Sequence, residues 1–485
     1  MLVTGAFMVL PLIVDLLYGE GDWKYFLYTI IGLGVVGGAL SLIKPEEKNF
    51  FSKDGFLIVA LAWIVMGLAG AVPFCISGVI PDYINAFFES VSGFTTSGIS
   101  VIADVEAASN AMLMWRSLTH WIGGMGVLVF MLAISPVVGG ASMHLMRAEA
   151  PGPVTEKIRP RISQTAKWLY AMYFVLTGCE ILALSIAGMS VFHSTLISFG
   201  TLATGGFAFL NSSLATFTVA QQVIVEVFMV MAGVNFSLYF LVITGKIKKV
   251  FRDVELRWYL AVIAIVAVLV SINVHLVSGC FSTLGEAVHQ SCFAVISAIT
   301  STGFNTFDYN LWPGFSKILI VLIMFVGGCA GSTAGGIKVS RFVLMFKSLR
   351  RNVRSVIYPK RIGFSKYNGK TVPDQVIRST MVYFMLVILI TVFSMIIVSL
   401  EPEMDISTAF ASVATTLNNN GIEIKNSAVA GFANYHWWSR LVYIIDMLIG
   451  RLEVFPIMVL FMYLFRPADR GVRLVRRKVR VRKDQ

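Results

Sequence analysis

Charge is scarce in this chain. Only 14% of its 485 residues are Asp, Glu, Lys or Arg, against about 25% in an ordinary soluble chain. FLIVALAWIVMGLAGAVPF (56–74) and STMVYFMLVILITVFSMIIVSL (379–400) contain no charge at all. Crossing a bilayer takes roughly 20 apolar residues, so stretches of this kind, in a chain that is 56% hydrophobic, exclude the soluble classes. Cysteine is rare as well. Cys75, Cys179, Cys280, Cys292 and Cys329 show no C-x-x-C spacing, which removes the common zinc and redox motifs and leaves them as small buried hydrophobes. The six histidines have no metal-ligand spacing, and no Ser-His-Asp or paired-carboxylate arrangement stands out. A membrane enzyme such as an acyltransferase would need such a cluster at the interface, so the chain is not expected to be an enzyme. No clear cleavage site follows the first apolar run, which reads as a helix that stays.

The charge that remains follows a rule. The net charge is +12, with 39 Lys and Arg against 27 Asp and Glu. Of the 39, 33 fall in five segments: 44–53, 147–167, 246–257, 338–378 and 466–483. The connections between them, 75–115, 192–218, 279–317 and 401–440, hold only Lys317, Lys425 and Arg440. Such alternation is the positive-inside pattern of a polytopic membrane protein. It places the five basic segments and the C-terminus in the cytoplasm, and it accounts for the charge without a nucleic-acid partner.

Ten long apolar segments are expected as helices, at roughly 2–18, 25–43, 56–77, 113–138, 166–191, 219–244, 258–278, 314–347, 379–400 and 438–465. Four weaker stretches lie between them: INAFFESVSGFTTSG (84–98), HSTLISFGTLATGGF (193–207), GEAVHQSCFAVISAITSTGF (285–304) and DISTAFASVATTLNNNG (405–421). Each is helix-compatible, then turns to Ser, Thr or Asn, and ends on a glycine followed by a large apolar residue. The glycines, Gly98, Gly206, Gly303 and Gly421, are 108, 97 and 118 residues apart. A period near 100 residues marks an internal repeat, here span, half-span, polar loop and span, made four times. Each copy begins and ends on the cytoplasmic side, so the copies are parallel and can close around one axis. The boundaries that follow are two N-terminal helices (1–50), repeats at 51–145, 146–250, 251–362 and 363–466, and a basic tail (467–485).

Non-helical backbone at membrane depth must line a cavity or be buried in protein, because lipid cannot satisfy its polar groups. Glycine permits positive φ, so successive carbonyls can point one way, and a ring of carbonyls replaces the hydration shell of a monovalent cation. Half-helices aiming their negative C-terminal ends at the same point add to that stabilisation. One loop such as TSTG is a common turn; four at equivalent positions are specific.

These motifs, GFTTSG (93–98), TLATGGF (201–207), TSTGF (300–304), TTLNNNG (415–421), GGCAGSTAGGIKV (327–339) and MLIGRLEVFP (447–456), resemble those of the Trk/Ktr/HKT superfamily of potassium transporters, and most of all its bacterial Trk type (TrkH/TrkG-like membrane subunits). The likeness covers essentially the whole chain. It implies an all-α polytopic fold of two N-terminal transmembrane helices plus four parallel M1–pore helix–M2 repeats around a pseudo-fourfold central pore. It further implies that carbonyls of Thr96, Ser97, Thr204, Gly205, Ser301, Thr302, Asn419 and Asn420 coordinate potassium beside Gly98, Gly206, Gly303 and Gly421. Potassium would be the transported substrate, with no organic cofactor. The expected partners are a second copy of the chain, membrane lipid and a cytoplasmic nucleotide-binding regulatory subunit of the TrkA type, in a bacterial inner membrane. IEIKNS (422–427) departs from the glycine and proline that relatives carry after the fourth glycine.

Residues 327–338 invite a second reading as a phosphate loop, but that motif needs G-x-x-x-x-G-K-[ST] between a strand and a helix. Here Lys338 follows Gly-Gly-Ile inside a membrane segment. Close helix packing through small residues is the plainer alternative. The resemblance implies instead that the helix unwinds into an intramembrane gating loop, with Gly327, Gly328, Gly331, Ser332, Thr333, Gly335, Gly336 and Lys338 as its residues. Arg451 lies mid-span, where an ionisable residue is costly and functional by default. It reads either as the partner of Asp446 or Glu453 or, by resemblance, as an electrostatic barrier below the filter. Glu89 and Glu286 are expected to begin pore helices, where a carboxylate suits the positive end of the dipole. Glu180, Glu226 and Arg116 read as hydrogen-bonding between helices. The tail RGVRLVRRKVRVRKDQ suits anionic lipid. The expected function is potassium uptake driven by membrane potential, with symport open; the alternative is a sodium-permeable or Na⁺/K⁺ co-transporting relative, disfavoured because Gly98 is not serine.

Overall fold

The computed structural model describes residues 1–42, 52–126, 162–358, 364–425 and 431–464. The second half of the expected 113–138 span, the end of IEIKNS, and the basic tail lie outside them. The described chain is mostly helical. The first apolar run is two helices, α1 (Leu2–Phe7) and α2 (Val9–Tyr18). Pro11 explains the interruption, since its ring conflicts with the carbonyl four residues earlier, that of Phe7. Helix α3 is Trp23–Ser41.

From Ser52 onward one order of elements recurs. A long apolar helix leads to a short helix, a buried irregular segment and a further helix. The long ones are α4 (Ser52–Ile76), α7 (Ile162–Ile186), α12 (Val254–Asn273) and α16 (Asp374–Val398). With α3, these supply the five described helices long and apolar enough to cross a membrane. They expose rows of large apolar side chains, such as Met385, Ile388, Phe393 and Ile396 on α16, the surface a lipid-facing helix presents.

The short helices are α5 (Tyr83–Phe94), α8 (Val191–Ala203), α13 (Leu284–Ile299) and α17 (Ile406–Leu417). Three begin on a side-chain cap: Asp82 accepts from Ile84 N, Ser190 from His193 N and Thr283 from Glu286 N, each at 3.2 Å. Such caps satisfy N–H groups that the first turn leaves open. Their C-terminal halves are almost wholly buried, glycines and hydroxyls included.

Among the described residues, three returning segments are broken. After α6 (Asn110–Met125), the segment expected at 219–244 is α9 (Val219–Ala232) and α10 (Phe236–Ile243), bent by 94°. The segment at 314–347 is α14 (Gly314–Met324) and α15 (Val339–Ile357) around the glycine-rich loop, as expected. The segment at 438–465 is α18 (Trp437–Leu452) and α19 (Val454–Leu464), where Pro456 repeats the Pro11 conflict against the Leu452 carbonyl. A short helix α11 (Ile247–Phe251) precedes α12. A two-stranded hairpin, β1 (Lys366–Tyr367) and β2 (Lys370–Thr371), turns through Asn368 and Gly369 at φ 46° and 80°, the positive pair an Asn-Gly hairpin turn requires.

Glu286 sits in the first turn of α13 as expected; Glu89 does not begin α5 but is its seventh residue and fully buried. Its role is an ion pair. Arg116 Nε lies 2.6 Å from Glu89 Oε1, and Arg116 also donates to Ala208 O at 2.7 Å. Removing one partner of a buried pair strands the other charge, at about 3–5 kcal/mol. Arg116→Met is therefore expected to lower the thermal midpoint of the detergent-solubilised protein sharply, with Glu89→Gln/Arg116→Met recovering part of the loss. A single variant that melts like the parent would contradict the assignment.

Candidate functional site

The four short helices end alike. Thr96, Thr204, Ser301 and Asn419 are left-handed, at φ 57°, 57°, 55° and 51°. In each case this residue's N–H returns to the carbonyl three residues back, at 3.1, 2.9, 3.1 and 3.2 Å. The next N–H returns five residues back: Ser97 to Ser92, Gly205 to Gly200, Thr302 to Ser297 and Asn420 to Thr415, at 2.9, 2.8, 3.0 and 2.8 Å. This pair of bonds is the Schellman termination, whose left-handed position is usually glycine. A threonine, serine or asparagine there costs of order 1–3 kcal/mol. In all four places the strained residue lies two positions before Gly98, Gly206, Gly303 or Gly421.

Beyond each turn the chain is held from outside. Ser297 Oγ donates to Phe304 O at 2.8 Å, and Thr415 Oγ1 donates to Ile422 O at 2.5 Å. The apolar residues after the glycines, Ile99, Phe207, Phe304 and Ile422, are buried. The Glu89–Arg116 pair does the same work for the first two segments. Glu89 accepts from Val101 N at 2.8 Å, and the Arg116 guanidinium lies 3.6 Å over the Phe207 ring. His120, one turn along α6, bonds Gly93 O at 2.8 Å and packs against the Phe207 ring, centroids 4.0 Å apart and tilted by 34°. Outside, Asn211 joins the two loops, accepting from Val105 N at 2.8 Å and donating to Asp104 at 2.7 Å. That bond holds the Asp104 carboxyl below its ordinary range.

The glycines are where the segments meet. A Cβ on Gly98 would run into the Gly205 carbonyl, one on Gly206 into the Thr302 carbonyl, and one on Gly303 into the Gly421 backbone. Gly421 in turn faces the carbonyls of Gly98 and Ser97, 3.3 Å from where its own Cβ would stand. First meets second, second third, third fourth and fourth first, so the segments close a cycle. The fourth is also tied by its amides: Asn419 Nδ2 donates to Ser97 Oγ at 2.8 Å and Asn420 Nδ2 to Ala298 O at 2.7 Å. All twelve expected residues of these segments are thus brought together. One departs from its counterparts: Gly421 is absent from the glycines with positive φ, whereas Gly98, Gly206 and Gly303 stand at 74°, 80° and 86°.

The glycine-rich loop lies against this cycle. Its neck is cinched by main-chain bonds, Gly327 N to Ile337 O at 2.9 Å and Val339 N to Gly328 O at 3.2 Å. Gly331 O accepts from Phe236 N at 3.0 Å, and Cys329 N donates to Gly233 O at 2.8 Å, so the bend between α9 and α10 grips the loop. Ser332 Oγ returns to Cys329 O at 2.6 Å, Lys338 Nζ donates to Ala334 O, and Gly336 packs on Gly327. Gly335 N donates to the left-handed Ser301 at Oγ, 2.5 Å away. Arg451 donates to Thr333 O at 2.9 Å, Thr96 Oγ1 at 3.3 Å, Gly124 O at 2.9 Å and Gly123 O. Glu453 pairs with Arg341 at 2.5 Å, and Asp446 accepts from Ser394 at 2.8 Å. Sequence reading placed Glu89 at a helix start and saw Arg116 as bonding between helices; it missed His120, Asn235, which packs on Gly331, and Glu255, which accepts from Ala330 N and Ser340 N. A usable signal was Arg116 and His120 at i, i+4, which puts two polar side chains on one face of an apolar helix.

Short buried helices that deliver strained turns to one point, inside a shell of apolar spans, define a polytopic helical membrane protein. The family model described as TrkH, cation transport protein, matches residues 24–470. The chain belongs to this family. It is 36% identical over 460 residues to the Trk system potassium uptake protein TrkH of Escherichia coli K12, and 33% over 459 residues to TrkG of the same organism, covering 94% of both chains each time. An uncharacterized cation transporter of Methanocaldococcus jannaschii is 30% identical over 470 residues, covering 96% of this chain and 93% of that one. The crystal structure of the potassium transporter TrkH from Vibrio parahaemolyticus superposes with a TM-score of 0.85 at 32% identity, covering 96% of this chain and 97% of that one.

Glycine is needed unequally around the cycle. Gly303→Ala sets a side chain into main chain at φ 86°, whereas a methyl on Gly421 meets its neighbours at 3.2–3.3 Å. Gly303→Ala is expected to destabilise the purified protein by at least about 1–3 kcal/mol, and Gly421→Ala by clearly less. Equal melting shifts would refute the ranking.

Proposed function

We propose that the chain is the membrane-spanning subunit of a potassium uptake system. The observation that carries this is the closed cycle of Gly98, Gly206, Gly303 and Gly421, each two residues beyond a left-handed turn at the end of a short buried helix. In this reading four parallel units, 51–145, 146–250, 251–362 and 363–466, follow two N-terminal helices (1–50) around one axis. The main-chain carbonyls of Thr96, Ser97, Thr204, Gly205, Ser301, Thr302, Asn419 and Asn420 replace the hydration shell of potassium beside the four glycines. The negative C-terminal ends of α5, α8, α13 and α17 add favourable field at the same point. The hydroxyls of Ser97, Thr204, Ser301 and Thr302 and the Nδ2 groups of Asn419 and Asn420 are engaged by protein, which supports leaving the carbonyls to the ion. Entry is driven by the membrane potential, about 2.3 kcal/mol per charge per 100 mV.

The 327–338 loop is the gate and Arg451 its latch. The guanidinium holds Thr333 O of the loop, places positive charge beside Thr96, and joins both to the end of α6. Conduction requires those bonds to break. The reading extends, on the motif resemblance alone, to a bacterial inner membrane, a homodimer and a cytoplasmic nucleotide-binding regulator of the TrkA type.

Expression in a potassium-uptake-deficient bacterium is expected to restore growth on sub-millimolar potassium; no rescue by stably inserted protein would refute the function. Gly303→Ser should relax the preference for K⁺ over Na⁺ in ⁸⁶Rb⁺ competition, and an unaltered preference would remove the filter assignment. Arg451→Ala should raise ⁸⁶Rb⁺ flux through purified protein in liposomes, a role that equal or lower rates would rule out.

A further inference from the structure

One carboxylate holds both ends of the loop. Glu255, the second residue of α12, is 4% exposed. Its Oε1 accepts from Ala330 N at 2.7 Å and from Ser340 N at 3.0 Å, one on each side of residues 331–338. Its Oε2 accepts from the Tyr367 hydroxyl at 3.1 Å, and Tyr367 belongs to the β1–β2 hairpin. The same hairpin is fastened beside it. Asn368 Nδ2 donates to Asp253 Oδ2 at 2.6 Å, Asn368 Oδ1 accepts from Val254 N at 2.9 Å, and Lys347 Nζ donates to Lys366 O at 2.8 Å. A cavity of about 430 Å³ opens at this junction, lined by Asn235, Glu255, Ala330, Ser340, Tyr367 and Lys370 among others.

From this we infer that Glu255 is a positioning residue for the 327–338 loop, holding it closed and passing the position of the Lys366–Thr371 hairpin to it through Tyr367. The inference rests on the gating reading of that loop. A short carboxylate with three donors from three elements has no slack: the loop neck, the start of α15 and the hairpin share one anchor. Displacing the hairpin takes the hydroxyl from Oε2 and leaves Glu255 free to turn toward the cavity. Ala330 and Ser340 then lose their common acceptor, while Arg451 still holds the loop on its far side at Thr333. Glu255's own partners, Ala330, Ser340 and Tyr367, lie outside the glycine cycle, which the loop meets elsewhere, through Gly335 N and Ser301 Oγ.

The test is ⁸⁶Rb⁺ flux through the purified full chain in liposomes, for Tyr367→Phe, Glu255→Gln, the double variant, and Arg451→Ala as reference. Tyr367→Phe removes one hydroxyl from a half-buried ring, and is expected to raise maximal flux roughly fivefold, the low end of ordinary coupling between sites. Half-saturating concentration and the Rb⁺/Na⁺ preference should not change. Glu255→Gln should raise flux at least as far, and the double variant should match Glu255→Gln, because Tyr367 acts through Glu255. Parental flux in Tyr367→Phe and Glu255→Gln alongside a raised Arg451→Ala overturns the role of Glu255 and leaves the gate standing. Parental flux in all of them overturns the gate and this inference with it. Additive singles, or a shifted ion preference, also overturn it. Should Glu255→Gln fail to fold, Tyr367→Phe decides alone.

Discussion

Main-chain polar groups that leave a helix inside an apolar shell must still be satisfied, and this constraint governs the architecture. An unpaired amide buried there costs several kcal/mol. The chain interrupts its helices at buried depth repeatedly, and the four turns, the 233–235 bend and the 325–338 loop each carry their own set of bonds. The four short helices close with the same two turn bonds, so the strands beyond them start from identical geometry. In the proposed reading, the carbonyls of these turns are the resource a cation uses.

The outer supports show how such strained turns persist. Left-handed threonine, serine and asparagine do not hold themselves; buried aromatic and charged contacts over-determine them. Arg116 serves two segments at once, through Glu89 on one side and Ala208 with the Phe207 ring on the other. The inner supports are of another kind. Arg451 and the 327–338 loop meet the turns through single donors, Gly335 N to Ser301 and Arg451 to Thr96.

Much of this was legible in the amino-acid order, for a physical reason. The long apolar spans and the recurring order of helices after Ser52 are signals set by solvent, and lipid leaves little latitude. The meeting of the four glycine segments was legible because a turn that is common once is specific when it recurs four times at equivalent positions. The break at 325–338 was visible in its glycines. The breaks at Gly233–Asn235 and at Glu453 were not, because the flanking residues are as apolar as a continuous span. Pro11 and Pro456 were the available clues, each sitting where a proline reads as a helix start as easily as a stop. The Asn-Gly hairpin at 368–369 was a readable turn that the surrounding basic residues masked. Glu89 was misplaced because its partner Arg116 is 27 positions away and pairing is a tertiary fact. Glu255 was invisible on the same ground: its partners come from residues 330, 340 and 367.

The ordinary backbone at Gly421 has a consequence for how such a site can change. Three quarters of the cycle demand glycine by conformation and by crowding, while the last is tethered through asparagine side chains. Because one polypeptide supplies every quarter, a mutation alters a single wall instead of all four together. Selection can therefore adjust the site in small graded steps, and it has most latitude at the wall that steric necessity constrains least.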